Sequence, residues 1–302
     1  MQILRGRPSA VDHLAISPDS RYVAAAGETE LHLWDLHDPD ADPTRHAVPT
    51  SRASSSYSLQ FLSDGRLFNV HTGGWQLLDP VGGRVARRRR ADHRALGAAS
   101  PCGRFVLEYD YDSGLCCWRL SEDSSGLQRE LVWSLPAAHL TKVPVFAPDS
   151  ERFAAFSITL NPELVFSWTI RRTADGQPHP DLGADRVEFL SQGQFTPDGG
   201  KFLAGVRSHV LEWDVRVGGA GRIAVRQPSG RHFHGLAVHP DGAILAGTTN
   251  DTHLSLYDLA SGGVLRSYDW RIGRLKHAAF TPDGTRCVVA GSSGKVLLFD
   301  VE

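Results

Sequence analysis

Short apolar runs alternate with tight polar turns along the whole chain, in an order that repeats. The turns commonly read Pro-Asp-Gly, in which proline presets φ, aspartate bonds to its own backbone and glycine tolerates a positive φ. The pattern therefore predicts the same turn seven times. The seven turns lie at residues 17–20, 63–65, 100–103, 147–150, 196–199, 239–242 and 281–284.

A second landmark follows each turn, where an apolar run ends in an aromatic or large apolar residue, commonly followed by aspartate. The seven copies end at Trp34, Leu78, Trp118, Trp168, Trp213, Tyr257 and Phe299. An apolar residue stands three positions earlier in every copy, at Leu31, Trp75, Leu115, Val165, Val210, Leu254 and Val296. Seven matches at the same offset indicate one repeating structural unit.

The runs are short, rich in branched and aromatic residues and bounded by Gly, Pro and Asp, which is typical of β-strands. Four strands in a period of roughly 43 residues correspond to one propeller blade. A blade packs on a neighbour through both faces, which explains why the runs are nearly continuous in apolar residues. The sequence therefore predicts an all-β, seven-bladed β-propeller of four-stranded antiparallel blades, with residues 1–302 forming a single domain.

The turn, the apolar run and the terminal Trp-Asp pair resemble the WD40 repeat, over essentially the whole chain. The full pair with Trp or Tyr stands in the first, fifth and sixth copies, at Trp34, Trp213 and Tyr257. The family's Gly-His dipeptide is missing at its expected offset, so its Asp-His-Ser/Thr-Trp hydrogen-bonded tetrad is not carried over. Asp251 stands where the aspartate would be, but that copy has Tyr257 in place of Trp.

The resemblance also implies how the ring closes, because family propellers complete the last blade with a strand from the N-terminus. Ile3 lies as far before Asp19 as Val225, in an outer strand, lies before Asp241. The sequence ends at Asp300-Val301-Glu302, directly after a third strand, so residues 1–4 are expected to complete the seventh blade. An open array would leave sheet edges free to aggregate.

Composition narrows the environment and the partners. The formal net charge is −2, which gives no reason to expect nucleic acid or an anionic membrane as partner. No apolar stretch has a membrane span's length, and no signal peptide is recognisable. The four cysteines do not form a disulfide framework, which favours a reducing compartment. We therefore expect a cytoplasmic protein, monomeric, without a cofactor. The cysteines are Cys102, Cys116, Cys117 and Cys287.

No catalytic or metal site is predicted. Residues 219–224 fit a dinucleotide-binding fingerprint by letter, but they lie between two predicted strands rather than before a helix. Asp38, Asp40 and Asp42 resemble the start of a calcium loop that lacks the later glycine and glutamate. His232 and His234 could share one side of a strand, but a metal site needs further ligands. A turn, a polar loop and hydrogen-bonded histidines are the preferred interpretations.

The resemblance implies a partner-binding face, made by the loops that enter the inner strands and by the hairpins between second and third strands. The central channel opens on that face. Tyr and Arg often anchor protein interfaces, and the set of loop residues mixes charges with aromatics. The candidate partner-binding residues are Glu28, Arg94, Asp110, Tyr111, Asn161, Arg207, Asn250, Trp270, Arg274 and Lys295.

Two basic segments have open interpretations. Residues 84–94 fall in the outer strand of the second blade and the following loop, where charges discourage edge pairing or could dock an acidic partner. The basic patch comprises Arg84, Arg87, Arg88, Arg89 and Arg90. Trp270 and Arg274 belong to a second segment, in which Trp270 could cover the core or anchor a partner.

The resemblance implies a non-catalytic scaffold that binds partner proteins or peptides around the channel. The arginine-rich segment is compatible with acidic partners. The alternative is a small-molecule-binding or enzymatic propeller that uses the channel itself. That alternative needs several acids or histidines on the inner strands, and the sequence offers only His13 and His277 as obvious candidates.

Overall fold

A computed structural model describes residues 1–6, 10–27, 30–47, 56–71, 74–82, 85–89, 96–110, 114–123, 126–136, 139–140, 142–160, 164–179, 185–187, 191–228 and 230–301. These residues form strands and turns, arranged as seven antiparallel sheets. The chain begins with β1 (Gln2–Ile3). The first blade comprises β2 (His13–Ile16), β3 (Tyr22–Ala26), β4 (Glu30–Asp35) and β5 (Thr44–Ala47). The predicted seven-bladed propeller is confirmed.

The next three blades follow in chain order. The second contains β6 (Ser56–Phe61), β7 (Leu67–His71), β8 (Gly74–Leu78) and β9 (Val85–Arg89). The third contains β10 (Leu96–Ala99), β11 (Phe105–Asp110), β12 (Gly114–Asp123) and β13 (Gly126–Leu135). The fourth contains β14 (His139–Leu140), β15 (Val145–Phe146), β16 (Arg152–Leu160), β17 (Leu164–Arg172) and β18 (Asp185–Val187).

The last three blades have the plain four-strand order. The fifth contains β19 (Gly193–Phe195), β20 (Lys201–Val206), β21 (His209–Asp214) and β22 (Arg222–Arg226). The sixth contains β23 (Phe233–Val238), β24 (Ile244–Thr249), β25 (His253–Asp258) and β26 (Val264–Asp269). The seventh contains β27 (Leu275–Phe280), β28 (Arg286–Gly291) and β29 (Val296–Asp300), completed by β1.

The fourth blade departs from the predicted four strands. Its innermost position is divided between β14 and β15, which both pair with β16, so this sheet has five strands among the described residues. Pro144 lies between the two pieces and has no backbone N–H to donate to the ladder, which accounts for the interruption. The predicted alignment of the blades around the ring is unaffected.

The seven predicted turns share one backbone geometry. In each, the last residue donates its N–H to the carbonyl three positions earlier, over 2.8–3.0 Å. The same residue has a positive φ of 61–84° in every copy, which is the reason that five copies have glycine there. Serine takes this place at Ser20 and Ser150, and each hydroxyl accepts a backbone N–H from a neighbouring blade's turn, from Asp283 and Cys102 respectively.

Apolar packing between neighbouring blades forms the core. The buried apolar residues among those described divide into seven clusters, and each cluster combines residues of two adjacent blades. Trp168 and Trp213 illustrate the arrangement, because their rings meet edge to face at 4.5 Å across the fourth and fifth blades. The aromatic residues of the repeat are therefore contacts between blades, each stabilising two units at once.

The N-terminal strand closes the ring as predicted. In β1, Gln2 pairs with Leu298 and Ile3 with Leu297, while the N–H of Leu4 donates to the carbonyl of Val296 over 2.9 Å. Leu4 is buried in the cluster between the seventh and first blades, together with Trp34. The Trp34 indole N–H donates to the carbonyl of Arg5 and not to a tetrad histidine. The missing tetrad is thus replaced here by a bond that fastens the closing segment.

Removing the buried side chain of the closing strand tests this arrangement. Leu4 is 2% exposed, so Leu4→Ala is expected to lower the free energy of unfolding by about 2–5 kcal/mol. Ile3 precedes it and is 48% exposed, so Ile3→Ala is the matched control, with an effect below about 1 kcal/mol. Deleting residues 1–6 should lower Tm by many degrees. Denaturant titration and thermal melts measure both, and equal effects of the two alanine variants would contradict the closure.

The third turn carries a natural substitution that can be reversed. In other copies an aspartate accepts a Ser or Thr hydroxyl, as Asp198 does from Thr196 over 2.6 Å. Cys102 takes that place and lies 3.3 Å from the Ser100 hydroxyl. Burial raises the pKa of the Cys102 thiol, but hydrogen bonds from Ser100, Ser150 and Arg104 lower it to about 7.

Restoring aspartate should strengthen this turn. A carboxylate accepts these hydrogen bonds more strongly than sulfur does, so Cys102→Asp is expected to raise the free energy of unfolding by about 1 kcal/mol at neutral pH. The reciprocal change, Asp198→Cys, should lower it by a similar amount. Urea denaturation measures both variants, and a destabilised Cys102→Asp protein would show that the turns are not equivalent.

Candidate functional site

The inner strands of all seven blades surround a central channel. Its cavity measures about 960 Å³ and is lined by residues of β2, β6, β10, β15, β19, β23 and β27, or of the loops entering them. Glutamines brace its wall between blades. Gln60 of the second blade donates to the carbonyl of Ala99 in the third, and Gln192 of the fifth accepts the N–H of Leu236 in the sixth. The channel is therefore a built cavity with fixed walls.

One end of the channel carries basic side chains, and we call this end the channel mouth. It comprises the residues at the starts of the inner strands: Asp12, His13, Lys142, His234, Lys276 and His277. The rings of His13 and His277 lie 5.1 Å apart, across the junction of the first and seventh blades. Lys276 Nζ lies 2.8 Å from Asp12 Oδ1, so these opposite charges form an ion pair across the same junction.

Close backbone packing brings His234 to this group. Gly235 follows it, and a Cβ at that position would overlap the carbonyl of Lys276 and the Cα of His277. The absence of a side chain lets β23 approach β27, and the N–H of Gly235 is taken up by the Thr248 hydroxyl at 2.9 Å. The pairing register shifts beside a basic residue in both strands. The shift lies between Phe233 and Gly235 in β23 and between Leu275 and His277 in β27.

The pKa values at the mouth reflect burial first and, at the two histidines, neighbouring positive charge as well. Burial lowers the pKa of His234, and the charges of Arg274, Lys276 and Lys142 lower it further. Burial and the neighbouring His13, Lys276 and His234 hold the pKa of His277 well below its ordinary value. Lys142 faces the open channel, but the enclosing walls remove it partly from bulk water and lower the pKa of its ammonium group. All three shifts disfavour additional positive charge.

The loops around the mouth are held by hydrogen bonds within blades and between them. Arg274 and Ser292 bond twice, because the Arg274 N–H donates to the Ser292 hydroxyl and the Ser292 N–H donates to the Arg274 carbonyl. Within the sixth blade, the N–H of Asn250 donates to the carbonyl of His232. Between the sixth and fifth blades, the N–H of Phe233 donates to the carbonyl of Arg207 over 2.7 Å. The hairpins and the entering loops therefore lie on one face, fixed to the ring.

Half of the predicted partner-binding residues belong to the described part of the chain with their side chains. Arg207, Asn250 and Arg274 are exposed loop residues on this face, and Lys295 is half-buried in the last hairpin. Asp110 is described only by its backbone, at the end of β11. Four predicted residues lie outside the described ranges: Glu28, Arg94, Tyr111 and Asn161.

Trp270 has a structural contact that bears on its two interpretations. Its ring stacks on Tyr268 at 5.0 Å and meets Phe299 at 4.9 Å, so it packs against the cluster between the sixth and seventh blades. The side chain is half-buried. These contacts favour the core-covering interpretation, while Arg274, four residues later, remains exposed at the mouth.

The basic patch follows the outer edge of the second blade. In β9, Arg87, Arg88 and Arg89 pair with Leu77, Gln76 and Trp75 of β8, and this strand has no further partner strand among the described residues. The described part of the patch therefore lies on the outermost strand of the second blade, as the sequence predicted. Arg84 and Arg90 lie outside the described ranges.

The other sequence motifs do not assemble into a site. No group of three His, Cys, Asp or Glu side chains with metal-binding geometry occurs among the described residues. His232 precedes β23 and is exposed, whereas His234 lines the channel, so the two do not act as a pair. Residues 219–221 belong to the turn that enters β22. All four cysteines are free, with Cys117 and Cys287 buried.

Sequence reasoning identified His13 and His277 but missed Lys142, His234 and Lys276 as channel residues. A signal for them is present in the alignment of the repeats. Each of the five basic residues lies six or seven positions before the aspartate of the turn that follows it. Those aspartates are Asp19, Asp149, Asp241 and Asp283. Aligning the seven repeats on their turns therefore identifies the basic residues of the mouth.

Comparisons with known proteins agree with this architecture. Residues 1–35 match the family model described as WD domain, G-beta repeat. A search of curated proteins finds no match. Among solved structures, the chain is similar to the β-propeller domain of Cps50 (Swd1) from Myceliophteria thermophila, with a TM-score of 0.78 and 13% identity over 100% of both chains.

The fold and these matches define the class of protein. The chain is a closed seven-bladed β-propeller, and its resemblance to WD40-repeat propellers is confirmed. At 13% identity the structural likeness establishes the shared fold and no shared ligand. No helix long and apolar enough to cross a membrane is found among the described residues.

The lowered histidine pKa values predict a loss of stability on acidification. A histidine in the unfolded chain has a pKa of about 6.5. Below that pH the unfolded chain therefore binds a proton at His277 that the folded protein, with its lowered pKa, does not bind. The free energy of unfolding should therefore fall with decreasing pH, by up to about 1.4 kcal/mol per pH unit for this group. His277→Asn and His234→Asn should each flatten the slope below about pH 6.5.

Urea denaturation over a pH series measures these slopes. His37 is exposed on the outside of the first blade, so His37→Asn is the matched control and should leave the slope unchanged. Slopes of His277→Asn and His234→Asn that both equal that of the parent protein would contradict the assigned shifts.

Proposed function

We propose that this protein is a non-catalytic interaction scaffold that binds partner proteins or peptides on the face around the channel mouth. One observation carries the proposal. Three exposed loop residues, Arg207, Asn250 and Arg274, are fixed on this face by backbone hydrogen bonds. The carbonyl of Arg207 accepts from Phe233 of the next blade, and Leu275 of the seventh blade donates to Asp251, beside Asn250, in the sixth. Loops fixed in this way lose little conformational entropy on binding, which favours recognition of a partner.

The chemistry of the face supports a polar and acidic partner. Arginine commonly anchors interfaces because its guanidinium group forms paired hydrogen bonds with carboxylate or phosphate groups. Arg207 and Arg274 present such groups, and the mouth beside Arg274 is basic. The basic patch at β9 lies on an outer edge, so its arginines are proposed to protect that edge and only secondarily to dock an acidic partner.

Site-specific photo-crosslinking tests the binding face. A photoreactive amino acid replaces Asn250 at the mouth or, as the matched control, Val217, which is 78% exposed in a turn at the opposite ends of the strands. Crosslinked partners should be recovered from native lysate with the probe at position 250 and be absent or much weaker at 217.

Two variants refine the same experiment. Arg207→Glu combined with Arg274→Glu should abolish the crosslinks at position 250, because the reversed charges repel an acidic partner. Changing Arg87, Arg88 and Arg89 to alanine should leave them intact. Crosslinks from position 217 alone, or crosslinks at 250 that survive the double charge reversal, would contradict the proposed face.

A further inference from the structure

The channel mouth holds more positive charge than its neighbours neutralise. Among the described residues that line the cavity, Asp12 is the one carboxylate, and Lys276 already pairs with it at 2.8 Å. The side chains of Lys142 and His234 make no hydrogen bond or ion pair with another described residue. Arg274 and Lys142 both lie close enough to His234 to disfavour its protonation. The mouth therefore has cationic groups around one cavity whose positive charge is not matched by carboxylates among the described residues.

The donors at the mouth come from different blades and surround one space. Lys142 of the fourth blade, His234 of the sixth and His277 of the seventh line the cavity. Arg274 stands just before β27, and its charge acts on His234. A group with several acceptor oxygens and two negative charges matches such a set, because each donor can take a different oxygen. A single carboxylate offers one charge and a planar pair of oxygens. The cavity of about 960 Å³ leaves room for such a group and for whatever carries it.

We propose that the channel mouth is a binding site for a tetrahedral dianion, a phosphate or sulfate group, held by Lys142, His234, His277 and Arg274, and that binding strengthens as the pH falls. The groups that face these histidines are His13 and Asp12 from β2 and its entry, Lys142 before β15, and Arg274 and Lys276 at β27. This inference adds a ligand class to the proposed function. It rests on the proposed function only if the anion is part of a partner protein.

The pH dependence follows from the histidines. In the free protein, burial and then the positive neighbours lower the pKa of His234 and of His277, which disfavours the charged form of each imidazole. A bound dianion reverses the local potential and favours their protonation. Proton uptake and anion binding are therefore linked, and each strengthens the other.

Histidine titration by NMR on the full chain tests the site, with sulfate as the probe because it stays a dianion across the range. The imidazole resonances of His234 and His277, assigned with His234→Gln and His277→Gln, are followed with sulfate and with chloride at equal ionic strength. Sulfate should raise each of the two pKa values by about one unit, equivalent to about tenfold tighter binding for each histidine that is protonated. His37, on the outside of the first blade, is the internal control and should not respond.

A pair of charge-removing variants separates the site from general salt effects. Lys142→Gln should weaken sulfate binding about tenfold, measured from the same resonances. Arg266→Gln removes one charge from the exposed outer strand β26 and should leave the affinity unchanged. Equal responses of His37 and His234 to sulfate, unchanged pKa values, or equal effects of the two variants would each overturn the proposal.

The carrier of the anion is distinguished with two further ligands. O-phosphoserine and a short phosphoserine peptide are compared in the same titration. A peptide that binds at least about tenfold tighter assigns the group to a partner's chain, and equal affinities assign it to a small molecule. Binding of either supports the site. Sulfate binding without crosslinks at position 250 would leave this inference standing while removing the proposed function, and crosslinks without sulfate binding would do the reverse.

Discussion

The structure depends on apolar packing between neighbouring blades, closed into a circle by a two-residue strand. Each of the seven clusters joins two blades, so no blade hides its apolar faces alone. At the junction of the seventh and first blades the cluster includes Leu4, which β1 delivers by pairing with β29. Without that strand, the third strand of the last blade would be an open edge and Trp34 would lose its cover. The rigidity of the whole ring follows from this closure.

A rigid ring explains why the channel mouth can hold unfavourable charge. Placing Lys142, His234 and His277 at one end of a channel disfavours their charged forms, because burial, and at the histidines the positive neighbours, lower their pKa values. The blade clusters lie behind the inner strands and are independent of those charges. Strained electrostatics on a stable scaffold is typical of functional sites, because selection for stability alone would remove it.

Much of the fold could be predicted from the sequence because each repeat is determined by the properties of residues close together in the chain. The turns depend on a few residues with special backbone preferences, and all seven have one geometry, even where Ser20 and Ser150 replace glycine. The aromatic positions follow from strand length and burial. The division of the fourth blade's inner strand was not predicted, because the repeat pattern indicates one inner strand in each blade and does not mark the break at Pro144. The side chains that reach the mouth could not be predicted for a similar reason. The register shifts beside His234 and His277 do not change the hydropathy pattern of the sequence.

Closure of the ring by β1 is the central claim, and hydrogen exchange on the full-length protein tests it most directly. The amide of Leu4 donates to the carbonyl of Val296, and that of Val11 to Gly291, so both link the N-terminal segment to the last blade. If the ring is closed, these amides exchange as slowly as those of β28 and β29, with the free energy of global unfolding. Rapid exchange at Leu4 and Val11, while β28 and β29 stay protected, would show that the seventh blade stands without the N-terminal strand and would contradict the account.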